Sequence, residues 1–284
     1  MSFLNIIPQS SPIYSQLRKL TDAKIVIFSG LPGVGKSLYI NAFQAIAQNA
    51  DKEIDMIQWD VARKAFETDY ISSYYPMGDG TVHNGLKLIA GLWLMDVVKE
   101  WLNFNKKSNS ILLIEAPLVG NRFIELMQEQ LDDNLENYLS SELCQVIVPI
   151  PSKKVRTAIE AERQRQVSED AKVWSGAKPS VMLMLWKDTC IIANEFGKEI
   201  DISGQPPYDP EIYNYVYSKI LKHRNFVPLH IDEIFEVPNM EEDGLHNHHS
   251  MHADQSTADI YGKKIIEKYN DYHINELVDS WYHT

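Results

Sequence analysis

The chain has 284 residues, 44% of them apolar, and a formal net charge of −12. That length and composition allow a large core in one elaborated domain, or a domain with an appendage. The acidic balance excludes a general coat for anionic membranes and argues against a long nucleic acid as partner, since both need a broad basic face.

The lead segment, residues 1–23, opens MSFLNIIPQSSPIY and lacks a basic stretch ahead of a long apolar core, so no signal peptide is expected. The first apolar run, Ile25–Phe28, belongs to KIVIFSGLPGVGKS, Lys24 to Ser37. Its core fits G-x-x-x-x-G-K-[ST] through Gly30, Leu31, Pro32, Gly33, Val34, Gly35, Lys36 and Ser37, and leads through Leu38 into a helical pattern. The glycines permit backbone angles that turn successive N–H groups around phosphate oxygens, and the helix adds its positive end. Lys36 is placed to reach the β and γ phosphates, and Ser37 to offer its hydroxyl to Mg²⁺. The expected ligand is a nucleoside triphosphate.

Four more apolar runs follow, Ile54–Gln58, Ile111–Ile114, Gln145–Ile150 and Phe226–Ile231, with helical patterns starting at Val61, Asn121, Lys153 and Pro210. This alternation predicts an α/β three-layer sandwich, a five-stranded, mainly parallel sheet covered on both faces. The main domain runs over residues 24–235, with long insertions at about 61–110 and 151–208 that suit an acceptor pocket and a lid, or simple structural cover. The longest apolar stretch, Leu86–Val98, carries Lys87 and Asp96 and is too short to span a bilayer. Cys144 and Cys190 lie among apolar residues without C-x-x-C spacing and read as buried free thiols in a reducing compartment. A cytoplasmic protein with no membrane partner is expected.

Residues 236–256 form an acidic, His-rich segment that reads as an exposed linker. His246, His248, His249 and His252 could gather around a metal, although a plain polar loop is the stronger reading. Residues 257–284 space Ile260, Ile265, Tyr269, Tyr272 and Leu277 at helical intervals. They predict a C-terminal helix docked on its own domain or on a second copy in a homo-oligomer.

Asp60 directly follows the second strand, in IQWDVARKAFE, where open α/β sheets place ligands. Arg63 stands three residues on, on nearly the same side of a new helix. Asp60 could take a proton from an acceptor hydroxyl while Arg63 holds an anionic group. Equally, Asp60 could cap the helix and Arg63 pair with Glu67.

GLPGVGKS followed by Asp60-x-x-Arg63 resembles the zeta-toxin and polynucleotide-kinase-like group of P-loop kinases, over residues 24–67 and more loosely to about residue 165. The resemblance implies a base role for Asp60, substrate contact for Arg63, ATP as donor, and a lid arginine over the transferring phosphoryl group. Arg156, Arg163 and Arg165 in PIPSKKVRTAIEAERQRQ are the candidates, although Glu160 and Glu162 between them also suit a solvated helix. Glu115, ending the third strand, stands where an acid would help hold Mg²⁺, or could contact substrate instead. Arg122, read as opening the next helix, faces the phosphates or solvent. The third strand is followed by EAPL, and Asn105-Lys106 leads to no Asp, so the marks of a GTPase are missing. The expected activity is transfer of the γ-phosphate of Mg–ATP to a hydroxyl of a small molecule or nucleotide. The alternative is an ATP-hydrolysing or ATP-binding regulatory protein without an acceptor.

Overall fold

A computed structural model describes residues 6–78, 82–106, 108–169, 178–235 and 250–284. Five strands, β1 (Ile25–Ser29), β2 (Glu53–Gln58), β3 (Ser110–Ala116), β4 (Cys144–Pro151) and β5 (Phe226–Ile231), form one sheet in the order β2-β3-β1-β4-β5. Every pairing is parallel. β1 lies in the centre and is buried at all five residues, as a parallel strand covered on both faces must be.

Alternation along the strands divides the core in two. Ile25, Ile27, Leu112, Ile114, Val146 and Val148 point to one face and join a large cluster. Val26, Phe28, Leu113, Ile147 and Leu229 point to the other and join a smaller one. The smaller cluster is covered by α1 (Pro12–Lys19) through Ile13 and Leu17, and by α2 (Lys36–Gln48) through Phe43 and Ile46. Residues 6–23 of the lead segment are therefore part of the fold, with α1 capped by Ser11 and started by Pro12.

Between β2 and β3 the expected helix from Val61 is shorter than its pattern suggested. It comprises α3 (Trp59–Ala62) and a 3₁₀ turn, Arg63–Phe66, followed by α4 (Asp69–Tyr74) and the long α5 (Asn84–Asn105). The helix expected from Asn121 is not formed. Leu118 and Arg122 instead exchange backbone hydrogen bonds of 2.9 and 3.1 Å. Leu118, Asn121 and Phe123 all have positive φ (63°, 61° and 68°), which breaks helical bonding. A 3₁₀ turn at Ile124–Met127 follows, and α6 (Asp133–Leu139) starts only where Asp132 caps it.

The second insertion supplies α7 (Lys153–Glu169) and α8 (Pro179–Glu195), and α9 (Pro210–Ile220) leads to β5. The single C-terminal helix is corrected to two, α10 (Gln255–Lys268) and α11 (Asp271–Asp279), because Tyr269 is extended and Asn270 caps the second. Ala258, Ile265, Ile274 and Trp281 join the larger cluster with α5, so the segment docks on its own domain. The exposed-linker reading also fails at its end. Met251 donates its N–H to the Met56 carbonyl (2.7 Å), and the Gln58 N–H donates to Ser250 Oγ (3.0 Å), fastening 250–251 along the outer edge of β2.

His246, His248 and His249 lie outside the described residues. His252 Nδ1 is 3.1 Å from the Ala253 carbonyl, and no metal-ligating cluster occurs among the described residues. Cys144 and Cys190 are buried and free. Among the described residues no helix is long and apolar enough to cross a membrane.

Candidate functional site

β1 and β3 lie side by side in register, Ser29 against Ala116, but the chain leaves them toward opposite faces. From β1 it runs to α2 on the smaller cluster, and from β3 it runs to α6 on the larger one. Such a divergence opens a crevice at the carboxyl ends of the strands. The glycine-rich loop lies in this crevice, between β1 and α2.

Two glycines there are required by angle, and Gly30 by its contact with a bonded hydroxyl as well. A Cβ on Gly30 (φ 123°) would stand 2.4 Å from Tyr213 Oη, and one on Gly33 (φ 79°) would stand 2.3 Å from Met182 Cε. The loop is lashed down from behind. Leu31 donates its N–H to Tyr213 Oη (3.0 Å), and the Pro32 carbonyl accepts from Arg156 Nη1 (3.1 Å). Arg156 is 1% exposed, bonds Glu160 Oε1 through Nε (2.6 Å), and lies 5.3 Å from the Tyr208 ring centroid. The backbone N–H groups of Gly33, Gly35, Lys36 and Ser37 reach no acceptor among the described residues. Those of Gly35, Lys36 and Ser37 sit where the first turn of α2 leaves amides without helical partners, and that of Gly33 lies in the turn just before it.

Lys36 folds back onto the loop, donating from Nζ to the carbonyls of Gly30 (2.8 Å) and Leu31 (3.1 Å). Burial draws its pKa down to about 8, and four charged side chains act on it. Glu115 and Asp60 favour its charged form, and Arg163 and Arg122 oppose it. The crevice thus gathers β3, α3, α7 and the loop after β3 around one ammonium group. Ser37 is exposed at the first turn of α2, and Leu38 is partly buried in the smaller cluster.

Asp60 stands in the first turn of α3 with its side chain 66% exposed, 3.2 Å from Arg63 Nε. Arg63 also pairs with Glu67. The expected pairing of Arg63 with Glu67 is therefore present, but Asp60 does not cap the helix. The cap position is Gln58, no side chain bonds there, and the Asp60 carboxylate faces Arg63 and acts on Lys36 instead. Arg122 donates from Nη1 to the Val119 carbonyl (2.9 Å). Burial lowers its proton affinity, Asp60 raises it and Arg63 lowers it again.

The three lid candidates separate. Arg156 is beneath the loop, Arg163 places Nη1 3.4 Å from Met182 Sδ and acts on Lys36, and Arg165 pairs with Glu162 at the exposed surface. Sequence reasoning missed Tyr213, Met182, Tyr208 and Lys87. The one available signal was the Tyr213–Tyr217 pair, four apart on a helix started by Pro210, which places two hydroxyls on a buried face. An open cavity of about 810 Å³ lies at the opposite end of the sheet, lined in part by Lys19, Glu142, Lys222 and Arg224. Arg224 is committed there to Glu136 (2.8 Å) and the Leu126 carbonyl (2.6 Å), so no reactive set converges on it.

No protein-family model, no curated protein and no solved structure matches this chain.

Proposed function

We propose that this chain is an ATP-dependent phosphotransferase acting on a hydroxyl-bearing small molecule or nucleotide. The observation carrying this reading is the set of undonated amides at Gly33, Gly35, Lys36 and Ser37, arranged around a lysine in the crevice. Amides so placed suit phosphate oxygens, and Lys36 trades its two carbonyl bonds for β and γ phosphate contacts. The Ser37 hydroxyl and the Glu115 carboxylate are hard oxygen donors that suit Mg²⁺. When bound, that ion neutralises charge on the phosphates.

Asp60 accepts the proton of the acceptor hydroxyl. The acceptor oxygen bonds to the γ-phosphorus as the bond from that phosphorus to the bridging oxygen breaks, and ADP leaves. Arg63 orients the acceptor, and Arg163 is the lid arginine that meets charge on the moving phosphoryl group. Arg156 supports the loop that does the binding.

A second reading, ATP hydrolysis without an acceptor, draws on Glu115. Its carboxylate acts on Lys36 more strongly than Asp60 does, and it could orient water. ADP release measured against a panel of hydroxyl-bearing metabolites separates the two. On the kinase reading turnover needs an acceptor, Lys36→Ala abolishes it, and Asp60→Asn removes transfer with Mg–ATP affinity within about threefold. Full activity in Asp60→Asn ends the base assignment, and acceptor-independent turnover ends the kinase reading.

A further inference from the structure

The loop after β3 does more than join two elements. Its backbone closes between Leu118 and Arg122 and holds three non-glycine residues at positive φ, so the direction of the Arg122 side chain is set by a tight turn. Arg122 is fixed through the Val119 carbonyl (2.9 Å), and Lys87 of α5 is fixed through Asn84 Oδ1 (2.9 Å). Both anchors are neutral. Neither cation takes part in an ion pair among the described residues.

The two cationic ends converge on one place. The point where a Cβ on Gly120 would stand lies 3.9 Å from Arg122 Nη1 and 3.9 Å from Lys87 Nζ, and glycine leaves that point bare. The cations repel there: Arg122 lowers the pKa of Lys87, second only to burial, and the carboxylate of Asp279 opposes this more weakly. Arg122 also lies within electrostatic reach of Asp60 and Arg63, so the pair borders the acceptor side of the crevice.

We propose that Lys87 and Arg122 form an anion subsite over Gly120 that takes a phosphate group carried by the acceptor, while the acceptor hydroxyl meets Asp60. Two cations facing one point match a phosphate dianion better than a singly charged carboxylate. The substrate class becomes a phosphorylated, hydroxyl-bearing small molecule. The placement of this subsite rests on the kinase reading, but its existence does not.

The test uses the full chain and inorganic phosphate, with acetate as the carboxylate probe, in titrations followed by calorimetry. Lys36→Ala removes the ammonium group of the glycine-rich loop and weakens the contribution of its amides, and this variant is expected to retain phosphate binding while binding acetate more weakly. Adding Lys87→Gln to it is expected to weaken phosphate binding about tenfold or more, the size of one charge-assisted contact, with Lys87→Arg restoring it. Circular dichroism confirms the fold of each variant. Equal phosphate affinity with and without Lys87→Gln overturns the subsite, as does acetate binding as tightly as phosphate. Mg–ATP titration into Lys87→Gln alone is the separate arm. Unchanged nucleotide affinity is expected, and failure of the wild-type chain to bind Mg–ATP would instead count against the phosphotransferase reading.

Discussion

Lys36 anchors the glycine-rich loop, and on the phosphotransferase reading it is also the group that meets phosphate. Its two carbonyl bonds hold the loop in shape, and burial sets its pKa near 8, so the ammonium is only partly populated above that pH. A phosphate arriving beside it favours the charged form. Mg–ADP affinity is therefore expected to fall as pH rises past about 8, and binding above that pH is expected to take up a proton. Calorimetry in two buffers of different ionisation enthalpy reads that uptake, and equal heats at pH 8.5 would contradict it. Because Lys87 is also lowered to about 8, the measurement is repeated in Lys87→Gln, where the uptake should persist.

At the scale of elements, the loop depends on α9 and α7 as much as on its own glycines. Tyr213 of α9 accepts the Leu31 N–H, and Arg156 of α7 donates to the Pro32 carbonyl. Tyr213→Phe leaves a buried amide unsatisfied and is expected to cost about 1–3 kcal/mol of stability. The urea midpoint reads this directly, and an unchanged midpoint would show that the amide finds another partner. The C-terminal pair α10 and α11 covers α5 and α4, with Ile265, Ile274, Val278 and Trp281 buried. Thr68 Oγ1 also bonds Asp259 (2.6 Å), and Tyr261 Oη bonds Asp96 (2.7 Å). Each large apolar side chain buried there contributes roughly 1.5–3 kcal/mol. Removing residues 255–284 should therefore lower Tm steeply. A truncated chain that keeps its Tm but changes mass in solution would mark these helices as an oligomer arm instead.

Across the whole molecule, one buried carboxyl links stability to pH. Glu125 lies against bare Gly91 of α5, where a Cβ would meet its carboxyl carbon at 2.1 Å. Its Oε2 is sealed from solvent without a hydrogen-bond partner among the described residues. Burial raises its pKa from 4.5 to about 8. Between those values the folded chain keeps a proton that the unfolded chain has released. This contribution is complete below about pH 4.5 and is lost as pH rises through 8. Glu125→Gln should make the chain more stable near pH 8 and flatten the fall in urea midpoint between pH 5 and 8. An unaltered slope would assign the dependence to other groups.

Much of this architecture is legible in short stretches of chain. Runs of β-branched and apolar residues place β1 to β5 within two residues of their observed ends, because a strand buried on both faces needs continuous apolar sequence. Gly30, Gly33 and Gly35 demand positive φ, and the start of α2 follows from the same motif. The segment after β3 was misread because Leu118, Asn121 and Phe123 adopt angles that their residue types seldom choose, and only the surrounding packing holds them there. Asn270 divides the C-terminal helix by an ordinary cap, a signal that was present and outweighed by the apolar period. Local rules of period, cap and backbone angle thus determine the elements, the parallel sheet and the loop that faces the crevice. Where Arg156 anchors, which arginines act on Lys36, and that Lys87 and Arg122 face one point at Gly120 depend on residues far apart in the chain. Those pairings were decided only when the two faces of the sheet were packed, since side-chain contact between distant segments has no signature in either segment alone.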